Sequence, residues 1–449
     1  MKFGIHLFAA LLFGATTVQV RLSNDAVAVV GARVYTNGDD ASLPDATVVI
    51  TAGRIVAVGS GQSIRIPSNA RVIDGTGLTL TAGFWNSHVH FTDRQWENAG
   101  SLASEQLSAQ IERMLTQYGF TTVFDTGSLL ANTLALRRRL ESGDVPGPRI
   151  FTTGDPFTAK DGTPYYVQPI RLPELLSERQ AIDAIRHHIR AGADAIKLHA
   201  GAIVDQQLDR RIAIPRNLVR AASDEAHRLG KPVLAHPQHL EGLSASVEGG
   251  VDVLVHVAEQ VERWPPTLLA RAVSQKMALV PTLKLLAGTE TTAKQANLLN
   301  QVRQFRAAGG EVLFGTDVGF VPDYDPSTEY LLMDQAGMNA RDILRALTIA
   351  PARRFRPGVR TGQVAVGYEA DLVLLGGDPA QDVRNFARVQ AVLRGGRVIF
   401  VRRSHQEKTP ARANYFLGAT ESIGPWRNRT AVTLPLASFW NSSVASAIL

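Results

Sequence analysis

Two kinds of hydrophobic pattern divide the chain. From residue 26 to about 80, short runs rich in valine, isoleucine and threonine ("AVAVVGARVYT", "ATVVITAGRIVAVG", "RVIDGTGLTLTAG") are separated by Gly and Asp clusters, the pattern of strands joined by turns. A second patch of the same kind, "QVAVGYEADLVLLGGDP" followed by "VQAVLRGGRVIFV", lies near the other end. Residues 26–80 and 358–405 are therefore expected to pair into one small composite β-sandwich domain. In between, strand-like runs alternate with helical periodicity: "FWNSHVHF", "TTVFDTG", "RIFTTG", "AIKLHA", "PVLAH", "VLVHV", "ALVPTL" and "VLFGTD" are the strand candidates. Leu102, Leu107, Ile111, Leu115 and Tyr118, then Ile182, Ile185 and Ile189, mark amphipathic faces between them. Eight such units predict an α/β fold, a TIM-like (β/α)8 barrel over 81–357.

The two ends follow neither pattern. "MKFGIHLFAALLFGATTVQV" has one lysine and then a short apolar run, which fits an export signal over about 1–22 better than a membrane span, with a buried first strand as the alternative. This predicts an exported protein, periplasmic or secreted, with no stable membrane span once processed. Residues 406–449 carry no interpretable pattern.

Composition changes this picture in two respects. The 449 residues, 45% hydrophobic and 20% charged, are those of a soluble globular protein with a sizeable core. The net charge of +6 is scattered, without a basic stripe or interleaved aromatics, which argues against nucleic acid and for a solvated basic surface. Homo-oligomerisation stays open. Cysteine is absent, so thiolate ligands and thiol nucleophiles are excluded and any metal must be held by nitrogen and oxygen.

The active site of a βα barrel is built at the carboxyl ends of its strands. The polar residues there are His88 and His90 of "HVH", Lys197 of "IKLHA", His236 of "LAHPQ", His256 of "LVHVAEQ" and Asp317 of "FGTDVG". His88 and His90 share a strand face, because side chains alternate with period two. Taken singly, His236 and His256 could be core histidines and Asp317 a helix cap. Taken together, four histidines, a lysine and an aspartate at strand ends point to a metal centre. A lysine inside a barrel has its neutral amine favoured by desolvation and by adjacent cations, and a neutral amine can add CO2 to form a carbamate whose two oxygens bridge two metals. An unmodified Lys197–Asp317 ion pair is the alternative.

"GFWNSHVHF", this order of strand-end residues and the late "ADLVLLGGDP" resemble the amidohydrolase superfamily, in its imidazolonepropionase-like and Xaa-Pro dipeptidase-like branch, over about residues 26 to 402. The resemblance implies that His88, His90 and Asp317 hold one divalent ion, that His236 and His256 hold a second, and that carbamylated Lys197 bridges them. It also implies hydrolysis of an amide or peptide-like C–N bond, in an N-acyl amino acid or a dipeptide, by a metal-bound hydroxide, with Asp317 as the catalytic proton carrier. Zinc is the expected metal. A lactonase or esterase on the same centre, and a catalytically silent barrel, are the competing readings. The dipeptidase branch often has a second histidine two positions after the fifth-strand ligand, where this chain has Gln238, so substrate preference does not carry over. Substrate contacts are expected from Tyr165 and Tyr166 in the long loop 154–174, from His199 and from Lys284.

Overall fold

The computed structural model describes residues 26–38, 41–287 and 291–402. The expected export signal over 1–22 and the tail 406–449 lie outside the described residues. Among these residues, no helix is long and apolar enough to cross a membrane.

The expected α/β alternation is present, in a TIM-barrel-like arrangement. Phe84–Val89, Phe120–Asp125 and Arg149–Thr152 form a parallel three-stranded sheet. Ile196–Leu198, Val233–Ala235, Val253–Val255, Ala278–Val280 and Glu311–Val312 form a parallel five-stranded sheet, so seven of the eight runs picked out by pattern contain a strand, and the eighth, "VLFGTD", begins at Val312, the last residue of its strand. Backbone hydrogen bonds join the two sheets at both edges. Asp317 N–H donates to His88 O (2.9 Å) and His90 N–H to Val318 O (2.8 Å), while Asp194 N–H donates to Thr152 O (2.8 Å) and Phe157 N–H to Lys197 O (2.9 Å).

Helices cover the outside. In Ser104–Met114 the buried residues are Leu107, Ile111 and Met114; in Glu178–Arg190 they are Ala181, Ile185 and His188. The first of these helices stops short of Tyr118 because Leu115 (φ −130°, ψ −61°) leaves helical geometry; Thr116–Tyr118 form a separate 3-10 turn, which Gly119, at φ +87°, ends before the next strand. Inside, Trp85 stacks on Phe151 and Phe355, and Phe124 packs on both phenylalanines, filling the interior with aromatic rings. The polar strand ends therefore stand on an apolar floor.

Residues 27–82 and 372–401 build one eight-stranded sheet. Its seam is the antiparallel pairing of Leu372–Leu375 with Thr79–Ala82, in the register Leu372 to Ala82. Period-two alternation gives that seam two buried faces: Leu372 and Leu374 join Val29, Val48, Ile50 and Leu80, whereas Val373 and Leu375 join the larger core around the barrel.

An ionic cluster ties this sheet to the start of the third barrel strand. Arg149 contacts Asp371 (3.0 Å) and Glu369 (3.4 Å), Glu369 also binds Arg356 (2.5 Å), and Asp371 accepts from Gly395 N–H (2.7 Å). Asp371 is 4% exposed, and burial together with the neighbouring Arg149 pushes the Arg394 guanidinium down to about 10. Removing one partner of a buried pair leaves an uncompensated charge, so Asp371→Ala is expected to destabilise the protein by about 3–5 kcal/mol. Urea unfolding followed by circular dichroism checks this, with metal uptake by the folded variant unchanged.

Candidate metal centre

The site is assembled where the first and eighth barrel strands are zipped together. The first strand has a register shift between Asn86 and Val89, which changes the parity of its side chains. Trp85 thus faces the aromatic interior while Val89 and Phe91 turn into the outer core, leaving His88 and His90 on the inner side. Asn86 fixes the junction: its amide donates to Thr316 Oγ1 (2.7 Å), and its oxygen accepts from the N–H groups of His88 and Thr316 (3.2 Å each).

Two glycines of "FGTDVG" permit this approach. A Cβ at Gly315 would lie 2.9 Å from His88 Cβ, and one at Gly319, whose φ is +99°, would lie 1.9 Å from His90 O. Between them Asp317 itself is left-handed (φ +59°), a strained conformation for a non-glycine residue and one that aims its carboxylate at the histidines.

The result is a tight group of donor atoms. Asp317 Oδ1 lies 2.9 Å from His90 Nε2 and 3.2 Å from His88 Nε2, and those two nitrogens are 3.1 Å apart. His256 Nε2 lies 3.7 Å from Asp317 Oδ2. The His256 ring packs 4.7 Å from those of both His88 and His236, and His199 stands 5.2 Å beyond His236. Lys197 is 2% exposed, and Asp317 pairs with the histidines rather than with it, so the lysine–aspartate ion pair is not formed.

Several atoms here are buried without a hydrogen-bond partner: His88 Nδ1, His199 Nδ1 and His236 Nε2. Neighbouring groups orient the imidazoles: His90 Nδ1 meets Gly127 O at 3.0 Å, and His256 Nδ1 meets the Thr282 hydroxyl. Burial pushes His88 down to about 4 and His236 and His256 well below their usual range, so these rings are neutral at pH 7. Burial would raise the Asp317 carboxyl, but His88 and His90 hold it well below the usual carboxylate range. Neutral imidazoles around a carboxylate, with lone pairs unshared, fit a divalent cation, and His88, His256 and Asp317 already lie within 4.8 Å of one another through their ligand atoms.

The four expected substrate contacts are distributed differently. Tyr165 and Tyr166 are in edge contact (5.4 Å), and Tyr166 meets Phe320 at 5.5 Å; burial, Glu259 and Asp317 all raise the Tyr166 phenol. His199 stays beside His236. Lys284 Nζ is engaged with the Asp323 carboxylate (2.8 Å) and the carbonyls of Asp323 and Asp325. Gln238 accepts from Ile203 N–H (2.7 Å), and His239 caps the helix Leu240–Gly249.

Sequence reasoning passed over Asp125, although it ends "TTVFD" as Asp317 ends "FGTD". Its buried carboxylate accepts from the hydroxyls of Ser128 (2.6 Å), Thr152 (2.8 Å) and Thr133 (2.9 Å), and from Gly127 N–H (3.3 Å), thereby holding the turn whose carbonyl meets His90. Thr282 also went unnoticed. Thr282 acts through a left-handed backbone (φ +45°) that no local motif announces.

Comparison with known proteins follows this geometry. The amidohydrolase family model matches residues 79–399. Ochratoxinase from Aspergillus niger is 24% identical over 415 residues, covering 82% of this chain and 84% of its own. The crystal structure of a prolidase-like protein from Bifidobacterium longum superposes with a TM-score of 0.70 at 27% identity, over 84% of this chain and 94% of that one. A Xaa-Pro dipeptidase with methionine in its active site gives 0.70 at 20% identity, over 83% and 99%, a likeness of fold.

Burial pushes the Lys197 ammonium down to about 7 from 10.5, against the opposing pull of Asp317 and Asp125. Between those two pH values the unfolded chain holds a proton that the folded chain has lost, so folding is favoured as pH rises through that window. In metal-free, CO2-free buffer the difference in unfolding free energy between wild type and Lys197→Met is expected to grow by about 1.4 kcal/mol per pH unit from pH 7 upward. Urea titrations at three pH values measure it. Parallel curves for the two proteins would place the amine in a watery environment.

Proposed function

The chain belongs to the amidohydrolase family, and from that membership we propose that it is a binuclear metal-dependent hydrolase cleaving an amide or peptide-like C–N bond in a small molecule. The observation that carries the reading is the convergence of His88, His90, His236, His256, Lys197 and Asp317 at the strand ends, with buried lone pairs unshared and the lysine unpaired with Asp317.

In this reading His88, His90 and Asp317 would hold one cation and His236 and His256 the other, zinc in both places. Lys197, as a carbamate formed when its amine adds CO2 and releases a proton, would contribute oxygen ligands to the pair. When bound, such cations supply Lewis acidity and a water of lowered pKa. The chain supplies the remainder. Asp317 accepts a proton from water at its carboxylate and returns it to the leaving nitrogen. The Gly127 carbonyl and the Thr282 hydroxyl keep His90 and His256 facing inward. Tyr165, Tyr166 and the 38%-exposed Phe320 form an aromatic wall for the substrate, and His199 donates a hydrogen bond to it. N-acyl amino acids and dipeptides are the substrates to test first, the latter because one similar structure is named a Xaa-Pro dipeptidase.

The same reading closes the eight strands into one (β/α)8 barrel over 81–357 and folds the sheet of 26–80 and 358–405 into a sandwich. Export through residues 1–22 completes it, with N-terminal sequencing of the periplasmic fraction as its check.

Protein prepared without chelator is expected to carry about two equivalents of metal per chain. Lys197→Ala should keep one equivalent and lose most turnover, recovering part of both with a short-chain carboxylic acid that replaces the bridge. Full activity without added acid would remove the carbamate. Asp317→Asn should lower kcat by about 10²–10⁴-fold while changing KM far less. A screen of matched amides and esters separates amidase from lactonase or esterase, and a wild-type protein without metal would favour the silent barrel.

A further inference from the structure

One buried carboxylate lies outside the set that faces the cation site. Glu329, on the helix Ser327–Gln335, is 0% exposed. Its two oxygens accept from consecutive backbone N–H groups, Leu283 at 3.0 Å and Lys284 at 2.7 Å. The residue just before them is Thr282, left-handed at φ +45° and completely buried. The Thr282 hydroxyl donates to Pro281 O (2.8 Å), so only its lone pairs remain for the imidazole that touches it. His256 must then present Nδ1–H to Thr282 and leave Nε2 bare toward Asp317.

We propose that Glu329 is a positioning residue: by gripping the N–H groups of Leu283 and Lys284 it holds Thr282 in its strained turn, and Thr282 in turn fixes the tautomer and direction of His256. The strut also spans the two halves of the site. Its helix follows the loop that carries Asp317, whereas the turn it grips follows the seventh strand, beside the sixth that ends at His256. Lys284 reinforces the same link from outside, through the carboxylate of Asp323 and the carbonyls of Asp323 and Asp325.

Glu329→Gln keeps the volume but sets an amide NH2 against one of the two N–H donors, which frees the turn. The proposal rests on the reading of His256 as a metal ligand only for its consequence, so the test has one arm that needs no metal. In metal-free protein labelled with ¹⁵N-histidine, His256 is expected as a single Nδ1–H tautomer in wild type and in Thr282→Ser, and as a mixture in Glu329→Gln and Thr282→Val. In the second arm, chelator competition should show zinc affinity lowered by about 10–100-fold in both Glu329→Gln and Thr282→Val. The double variant should be no worse than the weaker single one. An unchanged His256 signature in Glu329→Gln, or effects that simply multiply in the double variant, would overturn the strut. If Glu329→Gln does not fold, Glu329→Asp, which keeps the charge but shortens the reach, takes its place with the same two outcomes. Wild-type protein that takes up no zinc while His256 stays locked would instead refute the metal reading and leave the strut standing.

Discussion

Water exclusion at the strand ends is the constraint on which the structure turns. An amine, a carboxylate and several imidazoles are held above a floor of aromatic rings, where each charged form is disfavoured and each unshared lone pair is costly. No arrangement of these groups among themselves removes that cost: the two imidazole nitrogens nearest the carboxylate face each other as well as the oxygen. A divalent metal cation is the simplest species that would turn this frustrated cluster into a favourable one. Local strain at Asp317 and Thr282 has the same origin, since backbone conformations that L-residues seldom adopt persist only where the surroundings impose them.

Much of the architecture could be read from the sequence because parallel strands buried on both faces are short apolar runs, and most of them carried a charged or imidazole side chain at the end that an ordinary strand would not carry. "IKLHA" and "FGTDVG" announced themselves in that way. The limits of the helices were less legible: Leu102 and Tyr118 fall outside Ser104–Met114, because the helix starts only after Ala103 and breaks at Leu115. Pairing between residues some three hundred positions apart, such as Leu372 with Ala82, was inferred from similarity of composition and not from any local signal.

The site divides along the same line. Residues that point inward at strand ends were legible by position; those that support them were not. Thr282 and Glu329 act through backbone angles and through-space contacts, and Asn86 acts on a register shift, none of which leaves a trace in spacing. Lys284 shows the converse. A lysine after a strand reads as a contact for a substrate carboxylate, yet its ammonium is taken up by the Asp323–Asp325 turn.

Gly319 has a consequence for anyone wishing to alter what this pocket accepts. Because even one added methyl group there would collide with the carbonyl of His90, the loop has a fixed hinge point immediately before its first aromatic side chain. Directed evolution of selectivity has to treat that position as closed and begin its randomisation at 320.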